Sequence, residues 1–201
     1  MPETLLIATN NPGKVIELRD LIGPVSCELL TLADFPAISE VPETGNTFDE
    51  NARIKAIGYA KRTGRHALAD DSGLCVDVLD GRPGVLSARY GGEETSFADK
   101  MALLLAEVSK KDSASRRARF VCSITIAAPD GVVLAESKGI CEGNLARSPR
   151  GIGGFGYDPL FIPDGFNETF GELDAAVKAR ISHRAQAFQE IIPFLRHFML
   201  I

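Results

Sequence analysis

The sequence predicts an α/β fold, a mixed β-sheet with flanking helices arranged as two lobes around a cleft. Two patterns predict it. In the first half, short apolar runs alternate with stretches of helical periodicity, as β–α units do; in the second, a strictly alternating strand meets a hairpin turn. No linker or internal repeat separates the halves, so residues 1–201 read as one domain with two lobes.

The first element is the apolar run Thr4 to Ala8, which ends abruptly at Thr9-Asn10-Asn11-Pro12-Gly13-Lys14. Val15, Ile16, Leu18, Arg19 and Ile22 then recur at helical spacing up to Gly23-Pro24. A strand thus feeds a polar loop into a helix N-terminus, either as a plain connection or as an anion site that uses N–H groups and the helix dipole. No Walker loop is present. Lys14 is the odd residue, because a cation in the first turn opposes the dipole unless an anion sits between them.

Thr47-Phe48-Asp49-Glu50 fits a capping box and starts a second helix, expected to run to about Arg62 with Gly64 just past its end. Phe48, Ala52, Lys55, Ala56 and Tyr59 share one stripe. Lys55 therefore points toward the sheet, as a functional cation or as a snorkelling one.

His66 to Ala69 reads as a strand that ends in the acidic turn Asp70-Asp71-Ser72-Gly73, with a further strand at Leu74 to Leu79. Ser96 to Val108 reads as a helix, and Ser109 to Arg117 as a polar connection. Phe120, Cys122, Ile124 and Ile126 then alternate with Val121, Ser123, Thr125 and Ala127, and Asp130-Gly131 turns this strand back on Val132 to Ala135. The loop Gly151 to Pro159 is rich in glycine, which lets a backbone approach a ligand; Phe155 and Tyr157 in it offer flat faces for a base. A last helix is expected from His183 to Phe198, with Ser182 as N-cap and Pro193 as a kink or restart.

The composition narrows the chemistry. Apolar residues make up 45% and charged residues 24%, as in an ordinary globular protein, and no apolar run is long enough to span a bilayer. The start Met1-Pro2-Glu3-Thr4 does not read as a signal peptide, so a cytoplasmic location is expected. Cys27, Cys75, Cys122 and Cys141 form no CxxC pair, and His66, His183 and His197 lie far apart. Any metal is then expected on oxygen ligands, hence magnesium or manganese. A net charge of −5 argues against a nucleic-acid partner but allows a small anion held by a local cation cluster.

Such a cluster can be named: Lys14, Lys55, Lys178, His183 and Arg184 all sit against local rules. Paired acids at Asp70-Asp71 and a third at Glu43 can hold a hard cation with substrate phosphates, and one of them can orient a water for attack on phosphorus.

The ordered motifs Thr9 to Lys14, Glu43-Thr44-Gly45 with Thr47-Phe48 and Glu50-Asn51-Ala52, Ala69 to Leu74, Pro83-Gly84 with Ser87 to Tyr90, Gly154 to Pro159, and Ser182-His183-Arg184 resemble the inosine-triphosphate pyrophosphatase family. The resemblance spans residues 5 to about 188. It implies an elongated mixed sheet with two lobes around the cleft, usually in a homodimer, with no nucleic-acid or membrane partner. The implied activity is hydrolysis of non-canonical purine nucleoside triphosphates (ITP, dITP, XTP) to the monophosphate and pyrophosphate, with Mg2+. Asp71 matches the general base and metal ligand, with Asp70 beside it and Glu43 as the second acid near the metal. Thr9, Asn10, Asn11, Pro12, Gly13, Lys14, Lys55 and Ser72 match the phosphate and sugar contacts. Phe155, Gly156, Tyr157, Asp158, Lys178, His183 and Arg184 match the groups that bind the nucleotide and its base, where Arg184 can donate to a 6-keto purine. One departure is Pro42, which stands where many bacterial members carry another acid; Glu40 lies two residues earlier. The competing activities are a phosphatase that releases orthophosphate and a non-catalytic nucleotide sensor.

Overall fold

Among the described residues the strands and α-helices run in the order β1 (Thr4–Ile7), α1 (Pro12–Ile22), β2 (Glu28–Thr31), α2 (Phe48–Thr63), β3 (His66–Val76), α3 (Phe97–Ser109), β4 (Arg117–Ala127), β5 (Val133–Leu145), β6 (Phe161–Pro163), α4 (Ala175–Ile181) and α5 (His183–Phe198). The structure is a computed structural model and describes residues 4–23, 27–111 and 115–198. The readings at Met1 to Glu3, at Pro24 and at residues 112–114 lie outside the described residues.

The sheet is mixed, as expected. Its strand order is β2-β1-β3-β4-β5-β6, with β1 parallel to both β2 and β3 and with β6 antiparallel to β5. The connection 128–132 between β4 and β5 is too short for a crossover, so these neighbours form the expected hairpin. Sequence reading missed β2, β6 and α4, each seven residues or shorter, too short to show a clear period.

The chain divides into two units. The first contains residues 1–71, 122–139 and 184–201; the second contains 72–121 and 140–183. Within the first unit, Leu5, Ile7, Leu68 and Cys122 pack with Leu18 of α1 and with Phe188, Ile191 and Leu195 of α5. On the other face of its strands, Leu6, Ala67 and Ala69 pack with Ala56, Tyr59 and Ala60 of α2. The second unit has its own core, in which Leu74, Val76, Leu104, Phe120, Tyr157, Phe161 and Phe170 meet.

Two local expectations are corrected. Asp70 to Gly73 is no turn but the middle of one 11-residue strand, β3. Asp, Ser and Gly are poor strand formers, but β3 has β4 as its neighbour in the sheet, and tertiary context overrides propensity. Of the two readings of Pro193, the restart is excluded, because α5 runs through it from His183 to Phe198. Buried contacts of Ile191 and Leu195 on either side offset the backbone bond that the proline removes.

Candidate active site

The site in the first unit is set by where β1 stops. Ile7 pairs with Leu68, so β3 continues past the end of β1 and carries Asp70 and Asp71 alongside the loop that enters α1. Strand alternation turns Asp70 to the face of Leu68, toward α1 and α5, and Asp71 to the face of Ala69, toward α2. The two acids therefore serve different layers.

The loop itself is organised by Asn11. Its Oδ1 accepts from the N–H groups of Gly13 (2.9 Å) and Lys14 (3.3 Å), with Pro12 at the first turn. Thr9 Oγ1 accepts from the Asn11 N–H at 3.2 Å. The helix-end donors expected for an anion are thus capped from within. Lys14 instead explains itself through a carboxylate: its Nζ lies 3.1 Å from Asp70 Oδ2.

Asp70 is fully buried, and the same Oδ2 accepts from Arg184 Nε (3.3 Å) and Nη2 (3.0 Å). Arg184 Nη1 donates to Glu17 of α1. Burial alone would raise the Asp70 pKa, but Lys14, Arg184 and Lys55 outweigh it and hold the carboxyl far below its ordinary range. Burial likewise works against the Arg184 charge, and Asp70 and Glu17 reverse that, so the guanidinium is held more firmly charged than usual. Glu17 was missed in the sequence because a half-buried glutamate on an amphipathic helix carries no distinguishing signal.

Asp71 belongs to a second cluster. Thr47 and Glu50 form the expected capping box, and Lys55 lies on the buried face of α2 as predicted. Lys55 Nζ donates to Glu43 Oε1 (2.6 Å) and to Asp71 Oδ1 (3.3 Å). Buried Asn51 Oδ1 takes the Gly45 N–H at 2.8 Å, and Tyr59 OH lies 3.3 Å from the Val41 N, which fastens the segment carrying Glu43 to α2. A Cβ on Gly45 would lie 2.8 Å from that Asn51 oxygen, so glycine is required there. Glu40 instead faces Asn10, with Oε1 3.5 Å from Nδ2. Burial raises the Asp71 pKa, reinforced by Glu43 and Asp70 and only partly opposed by Lys55 and Lys14. Lys55 has a raised pKa although burial opposes it, because Asp71, Asp70 and Glu43 surround it.

Among the described residues, no three His, Cys, Asp or Glu side chains form a group that could hold a metal ion alone. The pair Glu43 and Asp71 still fits a hard divalent cation. Asp71 Oδ2 is buried with no hydrogen-bond partner among the described residues, and both acids offer the oxygen donors such ions take.

In the second unit, Asp158 organises the glycine loop. Its Oδ2 accepts from the Phe155 N–H (2.7 Å) and from Lys178 Nζ (2.5 Å). The Lys178 ammonium lies 4.8 Å from the Phe155 ring centroid and 5.7 Å from that of Phe170. Phe155 is half-buried, but Tyr157 is a core residue, with its OH on the Ser87 carbonyl (3.1 Å) and its ring edge-on to Phe97. The expectation of a flat face for a base is therefore corrected for Tyr157; burying most of its ring surface favours the core once its hydroxyl has a partner. Gly156 and Ser72 are half-buried, and the His183 ring stacks on Phe120 at 4.7 Å.

With this geometry in view, similarity to known proteins is informative. A sequence model of the Ham1 family matches residues 5–194. The chain is 47% identical over 189 residues to a dITP/XTP pyrophosphatase of Synechocystis sp., covering 94% of this chain and 93% of that one. It is 48% identical over 196 residues to a dITP/XTP pyrophosphatase of Exiguobacterium sp., covering 96% and 98%. Among solved structures, a HAM1 protein from Coxiella burnetii superimposes with a TM-score of 0.89 at 38% identity, covering 98% of this chain and all of that one (100%).

Proposed function

The chain belongs to the Ham1 family, and from that premise we infer that it is a nucleoside-triphosphate pyrophosphatase acting on non-canonical purine nucleotides (ITP, dITP and XTP). The names of its full-length relatives support this activity over orthophosphate release or passive binding. One observation carries the chemistry: Asp71 and Glu43 share a single buried ammonium, while Asp71 keeps a buried oxygen with no hydrogen-bond partner among the described residues.

Asp71 is the proposed general base. It accepts a proton from the water that attacks the α-phosphorus, the α–β anhydride bond breaks, and pyrophosphate leaves with the bridging oxygen. Its raised pKa suits a base, since a carboxylate above its ordinary range takes protons more readily. Asp71 and Glu43 would hold a divalent cation, Mg2+ in this reading, which supplies charge neutralisation for the phosphates when bound. With only two fitting carboxylates, the remaining ligands come from substrate and water.

Lys14, Lys55, Ser72 and the Thr9 to Gly13 loop are assigned to phosphates and sugar. Phe155, Gly156, Asp158, Lys178 and His183 are assigned to the nucleotide. Tyr157 is assigned to support, holding the loop to the core; Arg184 keeps its assignment to the purine base and also holds Asp70. A homodimer and a cytoplasmic location complete the proposal; among the described residues, no helix is long and apolar enough to cross a membrane.

Product analysis tests the activity. Inosine triphosphate with Mg2+ is expected to give inosine monophosphate and pyrophosphate in equal amounts. Release of three orthophosphates, or of orthophosphate and the diphosphate, would refute it.

A further inference from the structure

Lys55 occupies the place where a metal would draw Glu43 and Asp71 together. Its Nζ sits 2.6 Å from Glu43 Oε1 and 3.3 Å from Asp71 Oδ1, on a side chain about nine-tenths buried. The rest of the pocket holds this bridge in register. Asn51 and Tyr59, on the same helix as Lys55, fasten the Glu43 segment. Asp71 is fixed by its place in β3.

We propose that Lys55 is a built-in competitor of the divalent cation, bridging Glu43 and Asp71 until a metal-bound triphosphate displaces it. The idea rests on the assignment of those two acids as metal ligands. An ammonium and a divalent ion both need the carboxylate oxygens, and each repels the other, so one must withdraw for the other to bind fully. In this largely buried site Lys55 has little solvent to move into, and leaving Glu43 and Asp71 strands much of its own charge. A triphosphate supplies the missing partner. Its phosphate oxygens receive the displaced ammonium, as Lys–phosphate pairs commonly do. Metal and triphosphate then favour each other's binding, and the coupling is reciprocal by thermodynamic necessity. The consequence is a site that takes its metal weakly without nucleotide and avidly with it.

The test uses Mn2+ alone on the nucleotide-free protein, by calorimetry at pH 8 to keep the carboxylates ionised. If the bridge is closed most of the time, apparent affinity falls by the fraction of open sites, so Lys55→Met is expected to bind Mn2+ roughly tenfold or more tighter than wild type. Adding Asp71→Asn to Lys55→Met should abolish the gain. In wild type, the Lys55 Cε resonance, identified by its loss in Lys55→Met, should shift when Mg2+ is added at saturation. Lys55→Gln replaces Lys55→Met if circular dichroism shows the latter unfolded. An unchanged Mn2+ affinity in the folded lysine variant, or a Lys55 resonance that Mg2+ leaves in place, would overturn the competition while the metal ligands stand. Mn2+ binding that neither Asp71→Asn nor Glu43→Gln weakens would instead remove the ligand assignment on which the proposal rests.

Discussion

Arg184 holds a single oxygen of Asp70 from two of its nitrogens, Nε at 3.3 Å and Nη2 at 3.0 Å, and neither side chain reaches solvent. Lys14 takes the same oxygen from α1. One residue along the strand, Asp71 faces the opposite layer and shares one ammonium with Glu43. Two adjacent acids of the same type therefore meet opposite electrostatics. Asp70 is kept a carboxylate by surrounding cations, while Asp71 is pushed by burial toward its protonated form. Such divergence between neighbouring carboxyls separates a structural anion from a base.

The first prediction concerns Asp70 and stability. Asp70→Asn leaves buried Arg184 and half-buried Lys14 against a neutral group, and breaking one side of a buried pair costs about 3–5 kcal/mol. The pH dependence follows from the depressed pKa. The stabilisation by Asp70 is complete above the unfolded aspartate value of about 3.9 and is lost as pH falls from there through the lower folded value. Urea midpoints from pH 6 down to pH 2.5 should fall more steeply for wild type than for Asp70→Asn. Parallel slopes would contradict this account of the network.

A second prediction uses Cys122, whose Sγ lies 3.9 Å from Asp70 Oδ2. Burial, reinforced by Asp70, pushes its thiol up to about 12. A folded value above the unfolded value of about 8.5 stabilises the protein fully below pH 8.5 and less as pH climbs toward 12. Native protein at pH 8.5 should therefore resist iodoacetamide at Cys122, with labelling followed by mass spectrometry and rising only as urea unfolds the chain. Rapid labelling in the native state would show the thiolate to be accessible.

Some of this was legible in the sequence and some was not, for reasons that particular residues make plain. The capping box at Thr47 and Glu50, the buried stripe through Lys55 and the left-handed Gly64 at the helix end all follow from local spacing. Lys14 looked anomalous because its helix end disfavours cations, which suggested a bound anion between them; its partner in the structure is a carboxylate of the protein itself. That the anion is Asp70, 56 positions later, depends on strand pairing that no window of sequence reveals. The same holds for the middle of β3, where propensity argued for a turn and the strand instead continues beside β4. Tyr157 read as a flat face for a base; its ring is instead packed into the second unit's core, with its hydroxyl on the Ser87 carbonyl.

A third prediction addresses the glycine loop. Gly154 has φ +70°, and a Cβ there would lie 2.1 Å from Asp158 Oδ2, the atom that anchors the Phe155 N–H and Lys178. Gly154→Ala must bend either the backbone or that anchor, a strain of about 1–3 kcal/mol. If the loop serves the nucleotide, KM for inosine triphosphate should rise roughly five- to hundredfold with a smaller change in kcat. A normal KM with intact folding would remove the loop from substrate binding.

The last prediction sets Asp71 against Asp70. Asp71→Asn keeps the shape of the side chain and removes the proposed base. General-base catalysis is worth about 10²–10⁴ in rate, so pyrophosphate release from inosine triphosphate should fall by at least the lower figure. Stability should move the other way from Asp70→Asn. The Asp71 pKa is raised in the fold, so its charged form is disfavoured there; the protein is most stable with respect to this group below the unfolded value of about 3.9 and loses that advantage as pH rises through the folded value. A neutral amide at 71 should therefore leave the urea midpoint at pH 7 unchanged or higher, with Glu43 still pairing Lys55. Steady-state pyrophosphate release and urea denaturation on the same preparations check both halves. A variant that turns over normally refutes the base, and one that is inactive because its midpoint has collapsed refutes the division of labour between the two acids.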